Sequence, residues 1–449
     1  MARPGLYPGR YRDRVHREPA LPHHLHHGGV GGLRDKRQLL PGEIGQGERG
    51  KNYVGGDRRI YLKEEIRTSR SFLEPILSLT DALTVDENTF NFLDAMTGRK
   101  SYYRRGYYGN NLTAAVIDTG INKNHIEFKD SFGNSRIVGG KSFCSYTTSY
   151  TDDNGHGSHT AGTIAGLNCG VAPKANLLVI KALGGDGDNS VENIISAFDY
   201  AKNWRNPTTG KPVDVISSSL SIAQRYMTEA QIEKFNNVCN SIVSSGIPLF
   251  VSSGNTGTDS TPRYPSFYED PITCGAVDLE RRVATYSTQS SSVDICQLGS
   301  NVVSVSHTDN KGYVRMTGTS MSTPMCAGTA LLLANQYYQV SKERITEEML
   351  YKTIKFLYTH DIDDAGVDKK TGAGFFTLNP FPPTTISIQV GNKSYYIDGV
   401  AKQMDVAPIY AKADDGNSRM MVPTRFVAEA LGHTVNWYST SPDWAYIQS

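Results

Sequence analysis

Four residues in this chain are of the types needed to turn an alcohol into a nucleophile for attack on a carbonyl. Ser320 stands in Gly318-Thr-Ser-Met-Ser-Thr-Pro324, which runs into an apolar stretch ending near Ala334. The plain reading is a helix cap: the hydroxyl satisfies an orphan amide and Pro324 is tolerated near the first turn. The chemical reading is a nucleophile aimed from a helix start. A serine hydroxyl is weak until a base takes its proton, so the rest of the sequence must decide. His156 lies between two glycines in Asp152-Asp-Asn-Gly-His-Gly-Ser-His-Thr-Ala-Gly162, which lets other groups approach its ring closely. Asp118 follows the apolar run Ala114-Ala-Val-Ile117, and Asn255 ends Ser252-Ser-Gly-Asn255, where its amide can serve a turn or an oxyanion. His159 reads as a packing residue. A zinc site built on His156, His159 and an aspartate lacks the i,i+4 spacing and the glutamate of the helical metalloprotease motif.

These positions need a scaffold, and the sequence from about residue 110 supplies one. Short apolar runs recur at 114–117, 177–180, 213–216, 249–251 and 272–277. Between them lie helical periods: Val191, Ile194, Ile195, Phe198 and Ala201 share one face behind Ser190 as cap, and a second helix spans Thr228 to Ser245 before Gly246 and Pro248. Alternating strands and helices imply an α/β fold, a parallel sheet with helices on both faces. In such sheets chemistry gathers beyond the carboxyl ends of the strands, where Asp118 and Asn255 fall.

The 449 residues allow two or three domains. Lys and Arg (46) nearly balance Asp and Glu (45), so charge gives no reason to expect nucleic acid or an anionic membrane as partner. No run approaches the roughly 18 apolar residues of a membrane span. The six cysteines are too sparse for a disulfide scaffold, and those in apolar runs, such as Cys274, read as buried thiols. Residues 1–56, rich in Gly, Pro, Arg and His without apolar period, read as disordered; His23, His24, His26 and His27 belong to that composition rather than to a metal site. This end shows no apolar core of the kind a secretory signal needs. Residues 57–99 read as an extension of undefined fold.

Val116-Ile-Asp-Thr-Gly120, Gly155-His-Gly-Ser-His-Thr-Ala-Gly162, Ser252-Ser-Gly-Asn255 and Gly318-Thr-Ser-Met-Ser-Thr-Pro324 resemble the four signature segments of the subtilases, the subtilisin-like serine proteases, in the family's order of Asp, His and Ser. Ile137-Val-Gly-Gly140 and Gly170-Val-Ala-Pro173 resemble further segments, and the likeness covers about residues 100–380. It implies a subtilisin-like parallel sheet and a serine endopeptidase that cleaves proteins through an acyl-enzyme. Carried over residue by residue, it makes Ser320 the nucleophile, His156 the base and then the acid, and Asp118 the group that orients the imidazole. Asn255 and the Ser320 backbone N–H become oxyanion donors. Ser219, Leu220 and Ser221 become the strand that meets the substrate, with Ser221 where the family usually has Gly. Gly254 and Arg263 join the binding site, Arg263 at the floor of the primary pocket, which implies acceptance of an acidic residue before the scissile bond. No metal or cofactor enters the chemistry. Structural calcium is compatible with the resemblance, although Gly166-Leu-Asn-Cys-Gly170 leaves little room for one family calcium loop and Asp278 reads as a solvated loop carboxylate.

Past Pro380 the pattern changes. Residues 381–385 read as a linker. Residues 386–449 read as a small β-rich module, with alternation at Ile386, Ile388 and Val390, a turn at Gly391-Asn392, a short helix over 423–431, and a closing hairpin from Thr434. Val422-Pro-Thr-Arg-Phe-Val-Ala-Glu-Ala-Leu-Gly432 and Val435-Asn-Trp437 resemble the copper amine oxidase N-terminal-like (stalk) domain of bacterial surface proteins, a likeness that implies no copper site. It implies a secreted or cell-surface setting. The sequence stops as the last strand begins to pair, so the module reads as incomplete. The alternative to an active peptidase is a catalytically idle subtilase fold used for surface binding or adhesion.

Overall fold

The computed structural model describes residues 79–83, 85–86, 88–379, 386–388, 393–397, 400–403, 409–412, 418–421, 434–437 and 445–448. The readings of residues 1–56 as disordered, of 381–385 as a linker and of 423–431 as a helix lie outside these. In chain order the main elements are β1 (Leu79–Leu83), α1 (Asn91–Thr97), α2 (Arg99–Tyr103), β2 (Thr113–Asp118), β3 (Ile137–Ser142), α3 (His156–Ala165), β4 (Asn176–Lys181), α4 (Val191–Asn203), β5 (Val215–Ser218) and β6 (Ile222–Ala223). Then come α5 (Glu229–Ser244), β7 (Leu249–Ser252), β8 (Arg263–Tyr264), β9 (Ile272–Val277), β10 (Ile295–Leu298), β11 (Val302–Val305), β12 (Tyr313–Met316), α6 (Thr319–Ser341), α7 (Glu347–Leu357), β13 (Thr359–His360) and β14 (Phe375–Phe376).

The apolar runs form the centre of a nine-stranded sheet of order β13-β14-β10-β9-β7-β5-β2-β4-β3. Every pairing in it is parallel except β13 with β14. Both faces are covered, so the strands are apolar throughout rather than alternating. On one face α3 and α6 pack over Val116, Phe250, Cys274 and Leu298. On the other, α4 and α5 pack over Ile117, Ile180 and Val251. There Phe198 of α4 meets Phe235 of α5 edge to face at 4.9 Å, worth about 0.5–1.5 kcal/mol beyond the area buried. Both helices begin as their sequences predict: Ser190 Oγ accepts from Asn193 N–H, and Thr228 forms a reciprocal capping box with Gln231. All six cysteines are free and buried.

Strand order sets the location of chemistry. The chain leaves β2, returns one side of it as β4, then crosses to the other side as β5. Loops therefore diverge at the carboxyl end of β2 and open a crevice there. Phe90, Leu93 and Met96, ahead of residue 100, belong to the same core as α6, and β1 pairs antiparallel with β12. Near the other end of the chain, β15 (Ile386–Ile388), β16 (Ser394–Ile397) and β17 (Val400–Gln403) form a meander. Two hairpins follow, β18 (Ile409–Lys412) with β19 (Ser418–Met421) and β20 (Thr434–Trp437) with β21 (Ala445–Gln448), the second being the hairpin expected from Thr434.

Candidate active site

Asp118 is the last residue of β2 and is 1% exposed. Its Oδ1 accepts the backbone N–H of Thr119 at 2.7 Å and lies 2.7 Å from His156 Nδ1, while Oδ2 accepts Thr160 Oγ1 at 3.1 Å. The close approach of the two segments is a backbone matter: a Cβ on Gly157 would lie 2.3 Å from the carbonyl oxygen of Gly120. Only glycine lets α3 come down onto the turn after β2.

His156 opens α3 and its side chain is wholly buried. With Nδ1–H donated to the Asp118 carboxylate, Nε2 carries the lone pair, and it is buried with no hydrogen-bond partner among the described residues. Burial alone would disfavour the imidazolium. The charge and hydrogen bond of Asp118, with a further contribution from the charge of Asp152, outweigh it and hold the His156 pKa above the ordinary histidine value.

Ser320 is the second residue of α6, so its backbone N–H is among those with no partner inside the helix. Its hydroxyl donates to the Ser219 carbonyl at 3.3 Å and not to His156 Nε2. The Ser219 hydroxyl in turn donates to the Ser320 carbonyl at 2.9 Å. Pro324 explains the second bond. It lies inside α6 rather than in its first turn, and the N–H it lacks is the one that would have reached the carbonyl of Ser320. Ser219 takes the vacated acceptor.

Asn255 follows β7, and its Oδ1 accepts both the backbone N–H and the hydroxyl of Thr319, at 2.9 and 3.0 Å. The oxygen is thereby committed to the start of α6, which makes the nitrogen the donor end. A Cβ on Gly318 would come within 3.0 Å of that nitrogen, so the glycine keeps room for it. Gly254, at φ 106°, donates its N–H to Thr319 Oγ1 at 3.2 Å. Asp118, His156, Ser320 and Asn255 thus stand at the carboxyl ends of β2 and β7 and at the starts of α3 and α6.

Ser219, Leu220 and Ser221 are buried between β5 and β6. Ser221 is not among the residues with left-handed backbone, so a serine in place of glycine costs no strain there. Arg263 opens β8 opposite Ala223 of β6 and is partly buried. Hydrogen bonds from Thr261, and then the charges of Arg263 and Arg225, hold the exposed Asp259 carboxyl below its ordinary range.

His159 packs as expected: Nε2 lies 3.0 Å from the Val302 carbonyl, and burial drives its pKa down to about 3, so the ring is neutral. Among the described residues no group of three or more His, Cys, Asp or Glu side chains is arranged to hold a metal. Asp278 is engaged by the Arg282 guanidinium at 2.8 Å and by two backbone N–H groups. The short turn after α3 is held by side chains. Glu127 accepts the backbone N–H groups of Asn168 and Cys169 at 2.7 and 3.1 Å and the Tyr313 hydroxyl at 2.6 Å, while Arg99 donates to the carbonyls of Asn168 and Gly170.

Three residues at the site escaped the sequence reading. Thr160 steadies the second oxygen of Asp118, and Thr119 and Asp152 tie α3 to the turn after β2. The available signal was an aspartate shortly before a helix start that lacks a side-chain cap of its own.

The family model described as the subtilase family matches residues 109–374, and one described as the copper amine oxidase N-terminal domain matches residues 381–443. The chain is 35% identical over 274 residues to the thermostable alkaline protease of Halalkalibacterium halodurans, covering 59% of this chain and 69% of the relative. It is 33% identical to the major intracellular serine protease of Bacillus subtilis, over 55% of this chain and 75% of that one. It is 32% identical to subtilisin DY of Bacillus licheniformis, over 55% and 84%.

Proposed function

The chain belongs to the subtilase family of serine proteases, and from that premise we propose that it is an endopeptidase working through Asp118, His156 and Ser320. His156 Nε2 takes the Ser320 proton as the Oγ attacks the substrate carbonyl, and returns it to the leaving amine. Water then releases the acyl group by the same exchange. Asp118 keeps the proton on Nδ1 and stabilises the imidazolium. Asn255 and the Ser320 N–H receive the oxyanion, which forms only along the reaction path. The observation that carries this reading is the 2.7 Å contact of His156 Nδ1 with Asp118 beside a buried, unpartnered Nε2. The bond from Ser320 to the Ser219 carbonyl does not count against it, since catalytic hydrogen bonds are often formed only with substrate in place.

A fluorophosphonate probe tests the mechanism. Wild type should label on Ser320 with or without a chelator, because no metal is proposed to enter the chemistry. Ser320→Ala should not label, and should lose about a millionfold in turnover, a magnitude carried over from subtilisin, a member of the same family. Hydrolysis persisting in a clean Ser320→Ala preparation would exclude the serine mechanism.

Ser219 to Ser221, Gly254 and Arg263 are proposed to line the substrate site. Arg263 would then favour Glu or Asp before the scissile bond, since a carboxylate can engage a guanidinium in a bidentate pair. Cleavage profiles of wild type and Arg263→Ala on a peptide library decide this; coincident profiles would refute it. Secretion or surface attachment is proposed from the stalk-like module, with cell fractionation as its check. Among the described residues no helix is long and apolar enough to cross a membrane.

A further inference from the structure

Asp152 is 6% exposed and forms no ion pair among the described residues, yet it is held as an anion. Burial raises its pKa, but hydrogen bonds from Gly155 and Ser158 foremost bring the balance below the ordinary carboxylate value. Its Oδ1 accepts Thr119 Oγ1 at 2.8 Å, Asn154 N–H at 3.0 Å and Gly155 N–H at 2.9 Å. Its Oδ2 accepts Ser158 N–H at 2.8 Å and Ser158 Oγ at 2.6 Å. Thr119 Oγ1 also accepts Gly157 N–H at 2.8 Å, and Ser158 Oγ accepts Asn122 N–H at 2.8 Å.

The geometry has two consequences. Both oxygens grip residues on either side of His156, and two hydroxyls relay that grip to Thr119 and Asn122 in the turn that carries Asp118. The separation of Asp118 from the imidazole is therefore set by Asp152. The carboxylate also sits at the amino end of α3, where the helix dipole would otherwise oppose a positive charge on the first residue. That residue is His156.

We propose that Asp152 is a positioning residue for His156: it fixes the imidazole against Asp118, and its negative charge offsets the helix dipole so that the base can accept a proton. The inference rests on the reading of His156 as general base. The charged and titratable groups around the ring are Asp118 on β2, Asp152 ahead of α3 and His159 within it. Beyond them lie His307, packed against Gly155, and Lys181, whose Nζ binds the Thr119 carbonyl and Asp153 at 2.6 Å each.

The experiment is a pH–rate profile of purified full-length Asp152→Asn on a peptide substrate, beside wild type. Loss of the charge makes His156 harder to protonate, so the acid limb of kcat/KM should move to lower pH. Loss of alignment should cut kcat at the optimum roughly ten- to hundredfold, with KM little changed. A folded variant whose acid limb coincides with wild type would overturn the proposal, because a merely structural defect lowers the rate without moving the limb. Should Asp152→Asn fail to fold, Thr119→Val removes one of the two hydroxyl relays and keeps the charge. It should lower kcat at unchanged KM, and Thr119→Ser, which keeps the hydroxyl, should restore it; a wild-type kcat in Thr119→Val would be fatal to the positioning role. Fluorophosphonate labelling of wild type on Ser320 separates the two levels: without it the parent mechanism fails, and with it only the role of Asp152 is at stake.

Discussion

At the scale of the residue, the site divides its oxygens and nitrogens by task. Asn255 shows this most plainly, because its Oδ1 is spent on Thr319 and its nitrogen is the end that can donate to developing charge. Asn255→Ala should lower kcat by about 10² to 10³ while KM stays near its wild-type value, since the oxyanion exists only beyond the ground state; the size is carried over from the equivalent donor in subtilisin. An effect confined to KM in steady-state kinetics would remove Asn255 from that role. Asp118, His156, Ser320 and Asn255 were legible in the sequence because each has a recognisable neighbourhood of glycines or small hydroxyl residues. Asp152 was missed, because beyond its place ahead of an uncapped helix its importance lies in five donors that converge from the turn after β2 and from either side of His156.

At the scale of the element, the central strands and the helices of the second face could be read from apolar spacing alone. The third run was displaced: Val213 to Ile216 was expected, and the strand is Val215–Ser218. Val213 is buried, and Asp214 meets Thr113 with its backbone N–H on the Thr113 carbonyl and its carboxylate, in place of a ladder carbonyl, on the Thr113 N–H, each at 2.8 Å. The two-residue strands β6 and β8 gave no periodic signal, because a ladder of two pairs is too short to have one. Neither did the pairing of β1 with β12, which joins segments far apart in sequence. The length of α6 was hidden for another reason. Pro324 reads as a near-terminal residue, and a hydroxyl from the segment after β5 makes an interior position tolerable.

At the scale of the whole molecule, the residues proposed for catalysis all lie between Asp118 and Ser320, and the core they rest on closes with Phe376 and Leu378. The proposed chemistry uses no residue after 380. Deleting residues 381–449 should therefore leave kcat/KM on a short peptide unchanged within about twofold, while cell-surface retention, if the module provides it, is lost. A large fall in peptide turnover with the truncated protein still folded would show that the module takes part in the active site.

The exchange between Ser219 and Ser320 also bears on when the enzyme becomes dangerous to its own cell. The two residues are 101 positions apart, and α6 cannot satisfy the Ser320 carbonyl from within. A growing chain that has formed α6 alone has the proposed nucleophile without its anchor, its proposed base or its proposed oxyanion donor. Those arrive from β5, α3 and β7, which must first be laid side by side in the sheet. Proteolytic competence is thus a property of closure over long sequence distances, paid for in slow assembly, and not of any segment that can fold early.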